Sequence, residues 1–371
     1  MNLSAPPRLA AALFDGDRLR QARLYRGYRK VDVARALDIT PAVVGQYEQA
    51  RTKPSPATLA ALALQLGFPP EFFERRGDDH VRVDESTAHF RSLRSTSKFE
   101  RGRLLARLEL LADVLARVEG HVRLPEVVLP TVDIGVTDDK AAEAAGGAVR
   151  SAWGLGGGPI DNVVRLLESR GVIVVRPAIG TGGVDAFSTW LSKRPVVVLG
   201  SDKEDAARSR FDAGHELGHL VVHRHTQAAH HLVERQAHRF AAAFLMPAET
   251  ITREFPKRMS WPTYFDLKLR WRVSLQALLY RAKTLGALSD DGYQRAQVHL
   301  ARNWGRNTEP IELGEPEQPT LLTKAIDLME SKLGMTRDVI AGEARFHRRL
   351  LDELLADVTP VEETRPEVPV G

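Results

Sequence analysis

Apolar residues recur at helical spacing over much of the chain, and short turn sequences interrupt them. From about residue 15 to 76 the pattern predicts several short amphipathic helices, and over 98–119 it predicts one longer helix. The apolar stripe of the longer helix consists of Leu104, Leu108, Leu111, Leu115 and Val118. Helical spacing returns over about 320–356, ahead of a tail rich in Pro and Glu that we expect to be disordered from Thr359 onward.

The middle of the chain mixes helices with short strands. Residues 162–169 have helical spacing, whereas runs of Val and Ile within 171–175 and 195–199 predict two short buried strands. A further helix is predicted from about 232 to 245, where Pro247 ends it. The pattern therefore predicts a mostly helical α+β protein in which a small sheet is packed with helices.

Composition narrows the chemistry that is possible. The 371 residues are 43% hydrophobic and 27% charged, as is typical of folded proteins, and they include no cysteine. A metal ion would therefore need nitrogen and oxygen ligands, and disulfides and a thiol nucleophile are excluded. No apolar run is long enough to span a membrane, so we expect a cytoplasmic protein without a membrane partner.

Charge is distributed unevenly, although the net charge is only +4. Residues 1–76 contain 12 Lys/Arg against 7 Asp/Glu, whereas residues 312–371 contain 7 against 13. A basic N-terminal region favours a polyanionic partner. Surface arginines alone are weak evidence for a nucleic-acid partner. A DNA-binding motif within the same residues is needed to support that interpretation.

Two short helices joined by a tight turn are predicted within the basic region. Val33, Ala34 and Leu37 place small and apolar side chains on one face of the first helix. Thr40 is a favourable N-cap for the second helix, and Pro41 occupies the first helical position, where proline is tolerated. Such a pair of helices is a candidate helix-turn-helix.

The residues around this turn resemble the phage-repressor, or Xre/Cro, type of helix-turn-helix over about 15–73. The resemblance is carried by Gly27–Ala34, Leu37–Thr40, Tyr47-Glu48 and Pro54–Pro56. It implies a five-helix DNA-binding domain, which we assign to 1–76, with a recognition helix that begins at Thr40. The resemblance also implies a double-stranded operator as partner, and we expect a homodimer that binds two half-sites.

Within this domain, Gln46 is the best candidate to contact a base edge, because glutamine can pair with adenine in the major groove. Lys30, Arg51 and Lys53 are better suited to phosphates, which position a protein without specifying sequence. Thr40 completes the predicted DNA-binding residues at the start of the recognition helix. A helix-turn-helix used only for dimerisation is the alternative.

A second motif, His-Glu-Leu-Gly-His, occupies 215–219. On a helix, His215 and His219 project from one face, one turn apart. Two such imidazoles can hold one Zn²⁺, with Glu216 beside the position left open for water. A catalytic zinc needs a third protein ligand and lowers the pKa of its water toward ~7, so Glu216 suits a general base.

The sequence around this motif resembles the ImmA/IrrE family of metallopeptidases. The resemblance is carried by 185–190, 208–223 and 234–247, and it spans about 140–310. It implies a zincin-like core, which we assign to 131–250, and a Zn²⁺ cofactor. It further implies an endopeptidase that cleaves repressor proteins, often of the helix-turn-helix type.

Glu234 matches the family's third zinc ligand. The alternative is His225, which follows His219 at the spacing of metzincin sites. Those sites need a glycine three residues after the second histidine, and this chain has Val222 there, a residue poorly suited to positive φ. The family usually has asparagine at the position of His238, which could orient Glu234, hold an oxyanion or serve only in helix packing.

The remaining histidines and the remaining segments of the chain also receive assignments. His223 lies one turn beyond His219 and is predicted to support a ligand or the fold, whereas His230 and His231 are predicted in a loop. We assign 77–130 to a helical linker and 312–371 to an acidic helical extension with a loose tail. For the helical unit at 251–311, with Ser274 as an N-cap, substrate recognition, DNA binding and a structural lid are the alternatives.

These features together predict a DNA-binding transcriptional regulator with zinc-dependent endopeptidase activity, directed at a repressor or at the chain itself in a stress or phage-related response. One alternative is a DNA-binding regulator whose peptidase-like module is catalytically silent and senses a ligand or stress. A second alternative is a toxin–antitoxin type of regulator. Metal analysis beside a cleavage assay would distinguish them.

Overall fold

The computed structural model describes residues 7–75, 97–132, 135, 138–177, 186–200, 205–224, 230–305 and 308–356. The first helices are α1 (Pro7–Ala12), α2 (Gly16–Tyr25), α3 (Lys30–Ala36), α4 (Pro41–Glu48), α5 (Pro56–Leu66) and α6 (Lys98–His121). Then follow α7 (Asp139–Ala152), α8 (Val163–Ser169), β1 (Ile173–Val175), β2 (Ala186–Leu191), β3 (Arg194–Leu199), α9 (Ala206–Val222) and α10 (His230–Leu245). The last helices are α11 (Ala248–Glu254), α12 (Trp261–Trp271), α13 (Leu275–Thr284), α14 (Asp290–Trp304), α15 (Leu321–Leu333), α16 (Arg337–Glu343) and α17 (Arg348–Leu355). The predicted α+β, mostly helical class is confirmed.

These elements form two compact units. One unit takes in the described residues of 7–75, 97–124 and 319–356, and the other takes in those of 125–318. The helices of the N-terminal domain thus share a unit with α6 and with α15 to α17. The five segments assigned from sequence, with their bounds, stay predictions.

In the first unit, the turn between α3 and α4 has the chemistry that the sequence predicts. The side chain of Thr40 accepts a hydrogen bond from the backbone N–H of Val43, and Pro41 is the first residue of α4. Val33, Ala34 and Val44 are buried between the two helices and their neighbours. Short-range signals of capping and periodicity therefore predicted this pair of helices correctly.

The long helix α6 is buried over more of its circumference than its predicted stripe. Leu108, Leu111, Leu115 and Val118 are buried, whereas Leu104 is only half-buried. Leu105, Leu110 and Val114 are also buried. The reason is that α6 packs against α2 and also against α15, α16 and α17. Contacts with several helices require apolar residues on more than one side of α6.

The C-terminal extension is helical as predicted, but it consists of three helices. Gly334 ends α15 in the left-handed region, with φ of 64°. Glycine is favoured there because it has no Cβ to clash. The predicted disordered tail from Thr359 lies outside the described residues. No helix in the described ranges is both long and apolar enough to cross a membrane.

The second unit contains a three-stranded sheet with the order β1-β3-β2. Strand β1 pairs with β3 in parallel, and β2 pairs with β3 in antiparallel register, with Ser188 opposite Val197. The sequence pattern predicts β1 and β3 but not β2. Ser188 and Thr189 are buried along with their apolar neighbours in β2, so the strand lacks the continuous apolar run of the other two.

Helix α9 packs against β2 and β3, and α10 packs against both α7 and α9. Gly146 and Gly218 permit the approach, since a Cβ at Gly146 would lie 2.8 Å from the backbone oxygen of Phe240. Helix α10 begins at residue 230, so the prediction of a loop at His230 and His231 is wrong: both belong to its first turn. The result is that α10 runs against α9 along the length that carries the His-Glu motif.

Candidate metal centre

Helix α9 places the motif residues on its buried side. The side chain of Asp205 caps the helix by accepting from the N–H of Arg208, and Leu217 and Val221 anchor the helix in the core. His215 and His219 are 8% and 4% exposed, so both imidazoles are removed from bulk solvent. This excludes an accidental pair of surface histidines.

Glu234 on α10 meets the two histidines. The Nε2 atoms of His215 and His219 lie 3.0 Å apart. Oε2 of Glu234 is 3.1 Å from Nε2 of His215, and Oε1 is 3.5 Å from Nε2 of His219. Three potential ligand atoms from two helices therefore converge on one point.

This arrangement fits a bound cation. At a separation of 3.0 Å at most one of the two Nε2 atoms carries a hydrogen, so the pair either shares one N–H···N hydrogen bond or offers both lone pairs to a cation. Tetrahedral zinc, with metal–nitrogen distances near 2.0–2.1 Å, places its ligands about 3.3 Å apart. The donors are nitrogen and carboxylate oxygen, which zinc accepts. His225, the alternative ligand, lies outside the described residues.

Glu216 lies beside these ligands. One of its carboxylate oxygens is within 4.8 Å of the ligand atoms of His215 and His219, and its side chain is buried. Burial raises the pKa of Glu216 to about 7, although the charge of His215 acts in the opposite direction. Such a carboxyl group can both accept and release a proton near neutral pH.

The histidines differ in their surroundings. Burial alone would lower the pKa of His215, but its hydrogen bond to Glu234 and the charge of Glu216 together raise it. Nδ1 of His215 has no hydrogen-bond partner among the described residues. Nδ1 of His219, by contrast, lies 3.1 Å from Nδ1 of His223. Burial lowers the pKa of His223.

His238 lies next to the ligands rather than among the motif residues. Its Nδ1 is 2.9 Å from the backbone oxygen of Glu234, and its ring packs edge-on against His215 with centroids 4.5 Å apart. Because Nδ1 donates to that oxygen, neutral His238 has no hydrogen on Nε2 to offer an oxyanion. Desolvation lowers its pKa, which favours the neutral form. The hydrogen bond is to the backbone of Glu234, so it does not itself orient the carboxylate.

Comparison with known protein families matches residues 16–75 to a helix-turn-helix domain and residues 167–283 to an IrrE N-terminal-like domain of the M78 peptidases. The chain therefore joins a helix-turn-helix domain to an IrrE N-terminal-like domain. No curated protein matches the chain. The combination is that of a DNA-binding regulator with a peptidase-like module.

The second unit also contains a cavity of about 440 Å³ that includes His238 in its wall. Phe211 and Asp212 on α9 form one side, and Tyr280 and Tyr293 on α13 and α14 form another. Helices α13 and α14 thus contribute to a pocket that adjoins the candidate metal ligands. Ser274 caps α13 as predicted, through the N–H of Ala277.

In the helix-turn-helix domain, the predicted DNA-binding residues divide into two groups. Gln46 and Arg51 are exposed on the surface of the domain, and Thr40 is exposed at the start of α4. Lys30 pairs with Glu48, with Nζ 3.2 Å from the carboxylate, and Nζ of Lys53 donates to the backbone oxygen of Ala12. Both lysines would have to exchange these contacts for phosphates.

Sequence reasoning missed two residues at the metal centre. Ser188 Oγ donates to the backbone oxygen of Glu216 at 3.3 Å, and Gln236 Oε1 lies 3.0 Å from Nε2 of His223. Ser188 belongs to the strand that the pattern did not predict. Gln236 lies two residues after Glu234, but glutamine on a helix carries no signal of its own.

Proposed function

We propose that this regulator is a zinc-dependent endopeptidase as well as a DNA-binding protein. The observation that carries the proposal is the convergence of His215, His219 and Glu234 next to the buried carboxylate of Glu216. His215, His219 and Glu234 would hold the ion. When bound, zinc supplies a Lewis acid that polarises the scissile carbonyl and lowers the pKa of water.

Glu216 is the proposed general base. Its carboxylate accepts a proton from the attacking water and then delivers that proton to the amide nitrogen of the departing peptide. Burial, which raises the pKa of this carboxyl, makes it a better proton acceptor than an exposed glutamate. The nearby backbone contact from Ser188 holds this part of α9 against β2.

Two features favour a polypeptide as substrate. Strand β2 pairs with β3 on one side only within the described sheet, and Ser188 links it to the residue that is the proposed base. An extended peptide can add to such a sheet edge through main-chain hydrogen bonds. The cavity beside His238 has room for a large side chain of that peptide, so we assign substrate recognition to α13 and α14.

The proposed target is a repressor-type protein or the chain itself, as the family resemblance implies. The proposed DNA partner is an operator with two half-sites, bound by a homodimer whose exposed Gln46 and Arg51 face the duplex. Together these assignments describe a regulator that binds its operator and removes a repressor.

The test uses the full chain purified with its metal. Metal content is measured by elemental analysis, and each repressor encoded near its gene is co-expressed with the chain and examined by mass spectrometry. We expect about one zinc per chain and a discrete cleavage that a chelator abolishes and added zinc restores. Bound zinc without cleavage of any of these repressors would instead support the silent sensing module.

A further inference from the structure

A row of hydrogen bonds leads from the backbone of Gly135 to the proposed metal ligand His219. Nε2 of Gln236 donates to the oxygen of Gly135 at 2.8 Å. Oε1 of Gln236 is 3.0 Å from Nε2 of His223, and Nδ1 of His223 is 3.1 Å from Nδ1 of His219. Four residues, Gly135, Gln236, His223 and His219, are thus connected by hydrogen bonds in this order.

The chemistry of its members fixes the direction of each hydrogen bond. The carbonyl of Gly135 can only accept, so the amide nitrogen of Gln236 faces it and the amide oxygen faces His223. Nε2 of His223 must then carry a hydrogen, and neutral His223 has its lone pair on Nδ1. His219 therefore donates from Nδ1, which leaves the lone pair on its Nε2 atom.

That lone pair points toward the other proposed ligands, because Nε2 of His219 lies 3.0 Å from Nε2 of His215 and 3.5 Å from Glu234. His223 and Gln236 are each 1% exposed, so solvent cannot readily replace either partner. His215 has no equivalent support, since its Nδ1 lacks a partner in the described part of the chain. The two motif histidines are thus held in different ways.

We propose that Gln236 and His223 are positioning residues that hold His219 in its Nδ1–H tautomer and thereby set the affinity of the site for a divalent metal. The proposal rests on the metal site of the proposed function but not on peptidase activity. Partners of this kind orient a histidine ligand and raise its basicity, and their loss typically lowers metal affinity by about 10–100-fold.

The first experiment measures the affinity of the full chain for Zn²⁺ and Co²⁺ by competition with a chromophoric chelator. Gln236→Leu removes the acceptor for His223, and we expect an affinity about 10–100-fold lower than that of the natural chain. Gln236→Glu keeps an acceptor for His223 although it loses the donor to Gly135, so we expect it to retain most of the affinity. His231→Gln, at an exposed position in the first turn of α10, is the control and should leave affinity unchanged.

The second experiment observes the tautomer directly in the metal-free chain. Long-range ¹H–¹⁵N correlation spectra of ¹⁵N-histidine-labelled protein should show His219 protonated at Nδ1, and Gln236→Leu should populate the Nε2–H form. An unfolded Leu variant would be recognised by circular dichroism, in which case Gln236→Met, which also removes the amide, takes its place. His219 protonated at Nε2 in the natural chain, or equal affinities in folded Leu and natural chains, would overturn the proposal. If Gln236→Leu lowers the metal affinity and Gln236→Glu retains it, but no substrate is cleaved, the result counts against the proposed peptidase activity and not against the positioning role.

Discussion

The carboxylate of Glu216 lies within 4.8 Å of the two histidine ligand atoms, but a role as base requires only that it exchange protons. Glu216→Gln keeps the size of the side chain and removes that ability. We therefore expect the variant to retain its zinc, while the rate of substrate cleavage falls about 10²–10⁴-fold. Elemental analysis and initial rates of cleavage check the two parts.

Glu249→Gln is the matched control for this variant, because Glu249 is an exposed glutamate on α11 within the same unit. It should change neither zinc content nor rate. Loss of zinc from Glu216→Gln would make Glu216 a ligand, and an undiminished rate would assign the base to another residue.

The carboxylate of Glu234 lies close to both motif histidines, with Oε2 3.1 Å from Nε2 of His215 and Oε1 3.5 Å from Nε2 of His219. Removing one of three protein ligands should cost most of the zinc affinity, so we expect Glu234→Ala to be purified with little metal. His225→Ala should keep its metal near the level of the natural chain, since Val222 disfavours the turn that His225 would need. Elemental analysis of the two variants shows which residue is the third ligand. Loss of metal from His225→Ala but not from Glu234→Ala would place the protein in a different class of metallopeptidase.

The packing of α7 on α10 can be tested with two adjacent glycines. A methyl group at Gly146 would lie 2.8 Å from the oxygen of Phe240 and 3.0 Å from Cβ of Ala243, whereas one at Gly147 would meet nothing within 4 Å. We expect Gly146→Ala to lower the free energy of unfolding by about 1–3 kcal/mol through overpacking. Gly147→Ala should raise it by up to about 1 kcal/mol, because alanine is the better helix former.

Urea unfolding followed by tryptophan fluorescence measures both changes, since the five tryptophans of the chain lie between Trp153 and Trp304, in the same unit. The displaced helix α10 also carries Glu234, so Gly146→Ala should weaken zinc binding as well. Equal stability of the two variants would show that α7 and α10 can separate without strain.

Within the first unit, a buried ion pair ties the helix-turn-helix domain to α6. Nη1 of Arg18 is 2.6 Å from a carboxylate oxygen of Asp113, and both side chains are at most 5% exposed. Asp113→Ala would leave the guanidinium buried without its charge partner, and the expected loss of stability is about 3–5 kcal/mol. For the same reason we expect a fragment of residues 1–76 to be much less stable than the domain within the full chain.

Far-UV circular dichroism in urea reports the helices of both units, and tryptophan fluorescence reports the second unit. Asp113→Ala should therefore lose helical signal at lower urea than the natural chain does. Arg349→Ala, which breaks an exposed pair with Glu353, serves as the control and should shift the midpoint little. If Asp113→Ala matched the control, the buried pair would contribute nothing to the unit.

DNA binding is best measured on the full chain, with the duplex that lies upstream of its own gene as the ligand. The logarithm of the binding constant should fall linearly with the logarithm of salt concentration, because phosphate contacts release counterions. Arg51→Ala should reduce that slope by about one per protomer, whereas Gln46→Ala should weaken binding with little change of slope. Fluorescence anisotropy titrations check both, and absence of binding to this duplex would favour the dimerisation-only alternative.

What the sequence determined by itself is local. The cap at Thr40, the proline at Pro41 and the four-residue spacing of His215 and His219 act within one or two helical turns, so their geometry follows from the backbone alone. Glu234 was assigned through a family resemblance, because spacing left His225 as an alternative. Only the tertiary structure placed Glu234 against both histidines and joined Gln236 through His223 to His219.

The same division holds for the fold. Continuous apolar runs identified β1 and β3, but β2 was recognised only when pairing with β3 brought its buried serine and threonine into the sheet. Packing on α6 from several sides likewise buried more of that helix than one stripe indicates. The physical reason is that periodicity records which side of one element is apolar. Convergence of side chains from separate elements depends on how those elements pack, and that was decided only by the folded chain.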